Sequence, residues 1–76
     1  MTAYTYEVFD ADLRPIVSGE TVADIATATI RVKQELNHQQ QIGGRGYILA
    51  IDDTGKCKAV ARVTLTIDGL TSRSMK

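Results

Sequence analysis

Cys57-Lys58-Ala59-Val60-Ala61-Arg62-Val63-Thr64-Leu65-Thr66-Ile67-Asp68 alternates apolar and polar residues along its whole length. By a period of two, Cys57, Ala59, Ala61, Val63, Leu65 and Ile67 share one face. Lys58, Arg62, Thr64, Thr66 and Asp68 share the other, with Val60 as the one apolar exception. This is the pattern of an antiparallel strand with one face on a core and one in water. It assigns Cys57 to the core, where a thiol behaves as a small hydrophobe. Upstream, Asp52-Asp53-Thr54-Gly55-Lys56 supplies a hairpin turn with Gly55 at positive φ, and Tyr47-Ile48-Leu49-Ala50-Ile51 supplies the partner strand. Alternation there assigns Tyr47, Leu49 and Ile51 to the core.

Further upstream, Ile42-Gly43-Gly44-Arg45-Gly46 is too glycine-rich for regular structure and reads as a loop. Before it lies a helix. Thr21 is the expected N-cap, with Asp24 as a capping-box partner that also suits the positive helix end. Val22, Ile25, Ala26, Thr29, Val32 and Leu36 form its apolar stripe, Ile30 lies at the margin, and the helix ends near Asn37. At the start of the chain, Tyr4-Thr5-Tyr6-Glu7-Val8-Phe9 is strand-like, with Tyr4, Tyr6 and Val8 on one face. Asp10-Ala11-Asp12 is turn chemistry, and Arg14-Pro15-Ile16-Val17-Ser18 returns as a short strand that begins at Pro15 or lies at a sheet edge.

The order is thus β-β-α-β-β: an α+β, two-layer sandwich with one helix on an antiparallel sheet, a single domain over residues 1–68. Residues 69–76 carry no apolar period and read as a mobile polar tail. The last strand outreaches its partner. Pairing of the overhang with the first hairpin is favoured, since neighbouring elements mostly pair within a chain. Pairing with a second copy would instead make a homodimer.

The 76 residues are 43% hydrophobic and 24% charged, which excludes disorder, and nine Lys+Arg balance nine Asp+Glu, which excludes a polybasic binder. The balance hides an asymmetry. Residues 1–30 hold Glu7, Asp10, Asp12, Glu20 and Asp24 against Arg14 alone, while residues 31–76 hold eight cations against four acids. No run reaches the length of a membrane span, and no secretory leader is evident, so no membrane contact is expected. A single cysteine points to a reducing cytoplasm.

Chemistry is sparse. His38 and Cys57 are the only histidine and thiol, and a nucleophile on an apolar face beside a solvated histidine is a poor dyad, so no catalytic residue and no enzyme is expected. Asp10/Asp12 and Asp52/Asp53 sit in turns and lack calcium-loop spacing, so no metal or other cofactor is expected. The glycine-rich loop follows a helix and enters a strand, the reverse of a phosphate-binding loop. The remaining candidate is cationic: Arg45, Lys56, Lys58 and Arg62. Of these, Lys58 and Arg62 share the polar face of the last strand, and Arg45 begins its neighbour.

A short acidic hairpin, a helix beginning Gly19-Glu20-Thr21-Val22-Ala23-Asp24-Ile25-Ala26, and then a glycine-rich loop and hairpin together resemble several small phage-encoded anti-CRISPR proteins. The resemblance is one of size and layout over most of the chain and transfers no individual residue. It implies a non-enzymatic inhibitor that occludes a surface of a nucleic-acid-handling complex by binding a subunit of a CRISPR surveillance complex in the host cytoplasm. The Gly-Glu-Thr helix start is also similar to HicB-type antitoxins, although the Phe-Pro-Asp-Leu-Pro-Gly segment that precedes it there is missing. The alternatives are a weak nucleic-acid binder using Arg45, Lys56, Lys58 and Arg62, and a homodimeric structural or antitoxin-like subunit.

Overall fold

The computed structural model describes residues 3–40 and 42–74. Strand β1 (Ala3–Phe9) turns into β2 (Pro15–Ser18), helix α1 (Ile25–Gln39) crosses one face, and β3 (Arg45–Ile51), β4 (Cys57–Thr66) and β5 (Gly69–Ser74) follow as a meander. The strands form one antiparallel sheet in the order β2-β1-β3-β4-β5. The fold is α+β with a single helix in its own layer. The segment read as a polar tail is, over Gly69–Ser74, the edge strand β5, so the sheet has five strands rather than four.

The two long hairpin turns are held by single carboxylates. Asp10 Oδ1 accepts from the backbone N–H groups of Asp12 and Arg14, both at 2.9 Å, and Leu13 takes φ 64°. Asp52 Oδ1 accepts from Thr54 N (2.8 Å), Thr54 Oγ1 (2.6 Å) and Lys56 N (3.0 Å), while Gly55 takes φ 84°. In both turns a short side chain satisfies amides the strands leave behind. The last turn is tighter: Thr66 pairs with Gly69, leaving Ile67 and Asp68 between the strands, and Ile67 is 84% exposed. Ile67 therefore crowns a turn instead of continuing the apolar face of β4.

The helix starts later than expected. Val22 is held in an extended bridge, exchanging both backbone hydrogen bonds with Tyr4 (2.7 and 3.0 Å). Asp24 becomes the N-cap, accepting from Thr27 N at 2.7 Å, so Thr21 lies outside the helix. Gln40 closes the other end at φ 51°, donating its N–H to Leu36 O, three residues beyond the expected stop. The stripe that reaches the sheet is Ala28, Val32 and Leu36, spaced four residues apart, and Ile25, Ala26 and Ile30 stay exposed.

Those helix residues meet Tyr6, Val8, Ile48 and Val63 in the core. The helix lies close to the sheet at Gly46, which is paired with Val8 on one side and Val63 on the other. A Cβ there would fall on Val32 Cγ1, so the absence of a side chain admits the helix.

Alternation misleads in the middle of the sheet. Ile48 pairs with Ala61 but Leu49 pairs with Ala59, so Val60 is the extra residue of a β-bulge in β4. Beyond the bulge the faces exchange. Lys58 joins the row of Ala50 and Tyr4 on the helix side, whereas Cys57 and Ala59 join Ile51 and Leu49 on the opposite side. Cys57 is accordingly exposed, which corrects its assignment to the core. Tyr47, Leu49 and Ile51 are corrected as well: Gly46 and Ile48 face the helix, and the other three lie half-buried on the helix-free face.

Candidate binding face

Among the described residues one helix covers one side of the five strands and no element covers the other. The register sets out its residues in rows. One runs Phe9, Arg45, Thr64 and Thr71; the next runs Glu7, Tyr47, Arg62 and Arg73; then come Thr5, Leu49 and Ala59, and finally Ala3, Ile51 and Cys57. The face is graded. Its aliphatic end lies toward the Asp52 turn, and its cationic, threonine-rich end lies over β4 and β5.

Two aromatic rings mark the middle. Phe9 and Tyr47 pack edge to face, with centroids 5.9 Å apart and planes at 71°. Next to them, Arg45 is half-buried and its Nε is enclosed without a hydrogen-bond acceptor among the described residues. A buried donor left without an acceptor is uncommon and unfavourable.

At the cationic end Arg62 and Arg73 stand directly opposite each other on adjacent strands. Like charges in that position repel. Together with Thr64, Thr66 and Thr71 they line a shallow depression of about 280 Å³. The Thr66 hydroxyl donates to Gly69 O at 3.0 Å and the Thr71 hydroxyl to Thr64 O at 3.4 Å, so these two are already engaged within the hairpin.

The four cations singled out in the sequence thus divide. Arg45 and Arg62 come together on the open face, one row apart on neighbouring strands. The bulge sends Lys58 to the helix side, and Lys56 sits in the exposed Asp52 turn. Arg73 is absent from the sequence candidates because residues 69–76 carry no apolar period, and Tyr47 because alternation assigns it to the core, whereas Phe9 lies opposite Tyr6 and Val8 as its period predicts. The signal for Arg73 was Asp68-Gly69, a turn dipeptide followed by a short β-capable run.

Two carboxylates are shifted downward. Asp24 is held below its ordinary 3.8 by the Thr27 backbone and side-chain hydrogen bonds. Asp52 is held below the same value first by the Thr54 hydroxyl and then by the Lys56 N–H. Both are capping and turn groups. Among the described residues no three His, Cys, Asp or Glu side chains converge to hold a metal ion. His38 in the last turn of α1 and Cys57 at the start of β4 lie at opposite ends of the sheet. No helix among the described residues is long and apolar enough to cross a membrane. Comparison of the chain with protein-family models, curated proteins and solved structures finds no match.

Proposed function

We propose that the protein is a non-enzymatic binding protein whose helix-free sheet face docks on a partner and occludes its surface, the partner being a subunit of a nucleic-acid-handling complex. The observation that carries this reading is the composition of that face. Half-buried Phe9, Tyr47, Leu49 and Ile51 lie beside Arg45 and Arg62, with one acid, Glu7, in the central row. Aromatic residues and arginine concentrate in protein interfaces, where lysine and glutamate are depleted. Arg45, half-buried beside the aromatic pair, adds a guanidinium group suited to a partner carboxylate. The resemblance to anti-CRISPR proteins makes a CRISPR surveillance complex in the cytoplasm the first partner to try.

A nucleic-acid reading is favoured by one observation of its own: two aromatics and three arginines share the face, as on sheets that stack single-stranded bases. The aliphatic half, Leu49, Ile51 and Ala59, has no role in such a platform and favours the protein partner.

The test combines capture with a gel shift. Immobilised protein is expected to retain a complex subunit from a bacterial lysate containing a surveillance complex. Leu49→Asp on the open face should abolish retention, while Arg31→Glu on the exposed side of α1 should not. Random single-stranded DNA should show no salt-sensitive shift. Three direct phosphate contacts would instead give a log–log salt slope of about −2, at roughly 0.7 per phosphate. That slope would replace the protein-binding reading with the nucleic-acid one.

A further inference from the structure

The two edges of the sheet are not alike. β2 is four residues long, begins at Pro15 and pairs through a register shift at Val8/Phe9, all of which blunt an edge. β5 runs six residues from Gly69 to Ser74 in uninterrupted register with β4, contains no proline, and is exposed from Thr71 to Ser74. Among the described residues nothing pairs with its outer side. It offers a row of backbone donors and acceptors to an incoming strand, the usual requirement for strand addition.

Charge says which strand fits. The row Glu7, Tyr47, Arg62, Arg73 ends at the β5 edge on two adjacent cations. In a sixth strand, the residue opposite Arg73 would stand about 5 Å from it and about 10 Å from the Arg62 backbone, within reach of both long side chains. A carboxylate there relieves the Arg62–Arg73 repulsion and gains charge-assisted hydrogen bonds. A lysine or arginine would extend the repulsion. The same argument disfavours a second copy, whose own arginine pair would be carried onto the continuous face.

We propose that the β5 edge accepts an extended acidic segment of the partner protein as a sixth strand, with a carboxylate seated against Arg73 and Arg62. The proposal rests on the protein-binding reading and names the chemistry of the partner: carboxylates at alternate positions of an extended peptide.

The experiment uses the full chain and a short, blocked, fluorescein-labelled peptide alternating Glu and Thr, followed by anisotropy. Saturable binding is expected, together with slowed exchange of the β5 amides. Arg73→Glu and Arg62→Glu should each weaken binding by at least about tenfold. Both variants are first checked for native amide dispersion, and Arg31→Glu on the opposite layer should bind as the parent does. The same peptide N-methylated at alternate residues keeps its carboxylates but cannot complete a ladder, and should lose binding.

Equal binding of the N-methylated peptide would overturn strand addition, as would β5 amides that exchange unchanged, or absence of saturable binding. Arg73-dependent binding of single-stranded DNA in preference to the peptide would overturn the choice of partner. So would a dimer in sedimentation that Arg73→Glu dissociates. If the peptide fails while Leu49→Asp still abolishes capture, the edge proposal falls and the broader reading stands. If capture by the parent protein fails too, both fall.

Discussion

At Gly46 a single missing methyl group sets the distance between helix and sheet. Gly46→Ala must push Val32 or tilt α1, and overpacking of this kind costs about 1–3 kcal/mol. Thermal denaturation should register it as a fall of roughly 4–8 °C per kcal/mol for a domain of this size. Cys57 makes the opposite point. On the open face it should be alkylated in the native protein at a rate close to that of the denatured chain, followed by mass spectrometry with a thiol reagent. Slow native labelling would mean that the Val60 bulge is absent. The carboxylates Asp24 and Asp52 set the pH dependence. Each is depressed in the folded state, so the unfolded chain binds the protons more readily. Their contribution is complete above the ordinary value of 3.8 and is lost as pH falls below it through the folded values. Asp24→Ala and Asp52→Ala should therefore lower the thermal midpoint at neutral pH and leave it nearly unchanged in acid.

Elements were legible where one local signal sufficed. The Asp10 and Asp52 turns, the four strands β1 to β4 and the central helix follow from turn residues and periodicity. The expected helix stop at Asn37 fell short because the polar residues His38 and Gln39 stay helical until Gln40 turns to αL and ends the helix. Its start was misplaced because Thr21 is a sound cap in isolation. Only the bridge between Val22 and Tyr4, a contact between distant parts of the chain, moves the cap to Asp24. The reversal of faces in β4 is tertiary as well. Val60, the exception in an otherwise clean alternation, was its visible trace, but a lone exception does not distinguish a bulge from a surface valine. β5 was missed because its polar side chains hide a strand that is announced mainly by its turn. Gly69 at φ 114° is the weak joint of that hairpin. Gly69→Val should strain it by about 1–3 kcal/mol. Hydrogen exchange should accelerate over residues 70–74 while the β1 amides stay protected.

For the molecule as a whole, the open face was only partly legible, because a face is a property of register across strands. Arg45 and Arg62 were identified from two strands that are neighbours in sequence. Glu7, Phe9 and Arg73 join them only once β1 and β5 are placed. The strand order has a further consequence, in time rather than in space. The meander β3-β4-β5 is built from contacts close in sequence, whereas β1 meets β3 only after closing the chain from Phe9 to Arg45. Local closure precedes distant closure because its entropy loss is smaller. Val63→Ala should accordingly slow refolding, and Val17→Ala should mainly accelerate unfolding, in stopped-flow measurements on both limbs. During synthesis the order is reversed. The ribosome delivers the first hairpin and the helix before the strand that unites them exists, so Tyr6, Val8, Val32 and Leu36 leave the tunnel without their shared neighbour Ile48. A nascent chain halted just short of β3 should therefore be held by a hydrophobic-sequence chaperone, and one extended past β4 should be released from it.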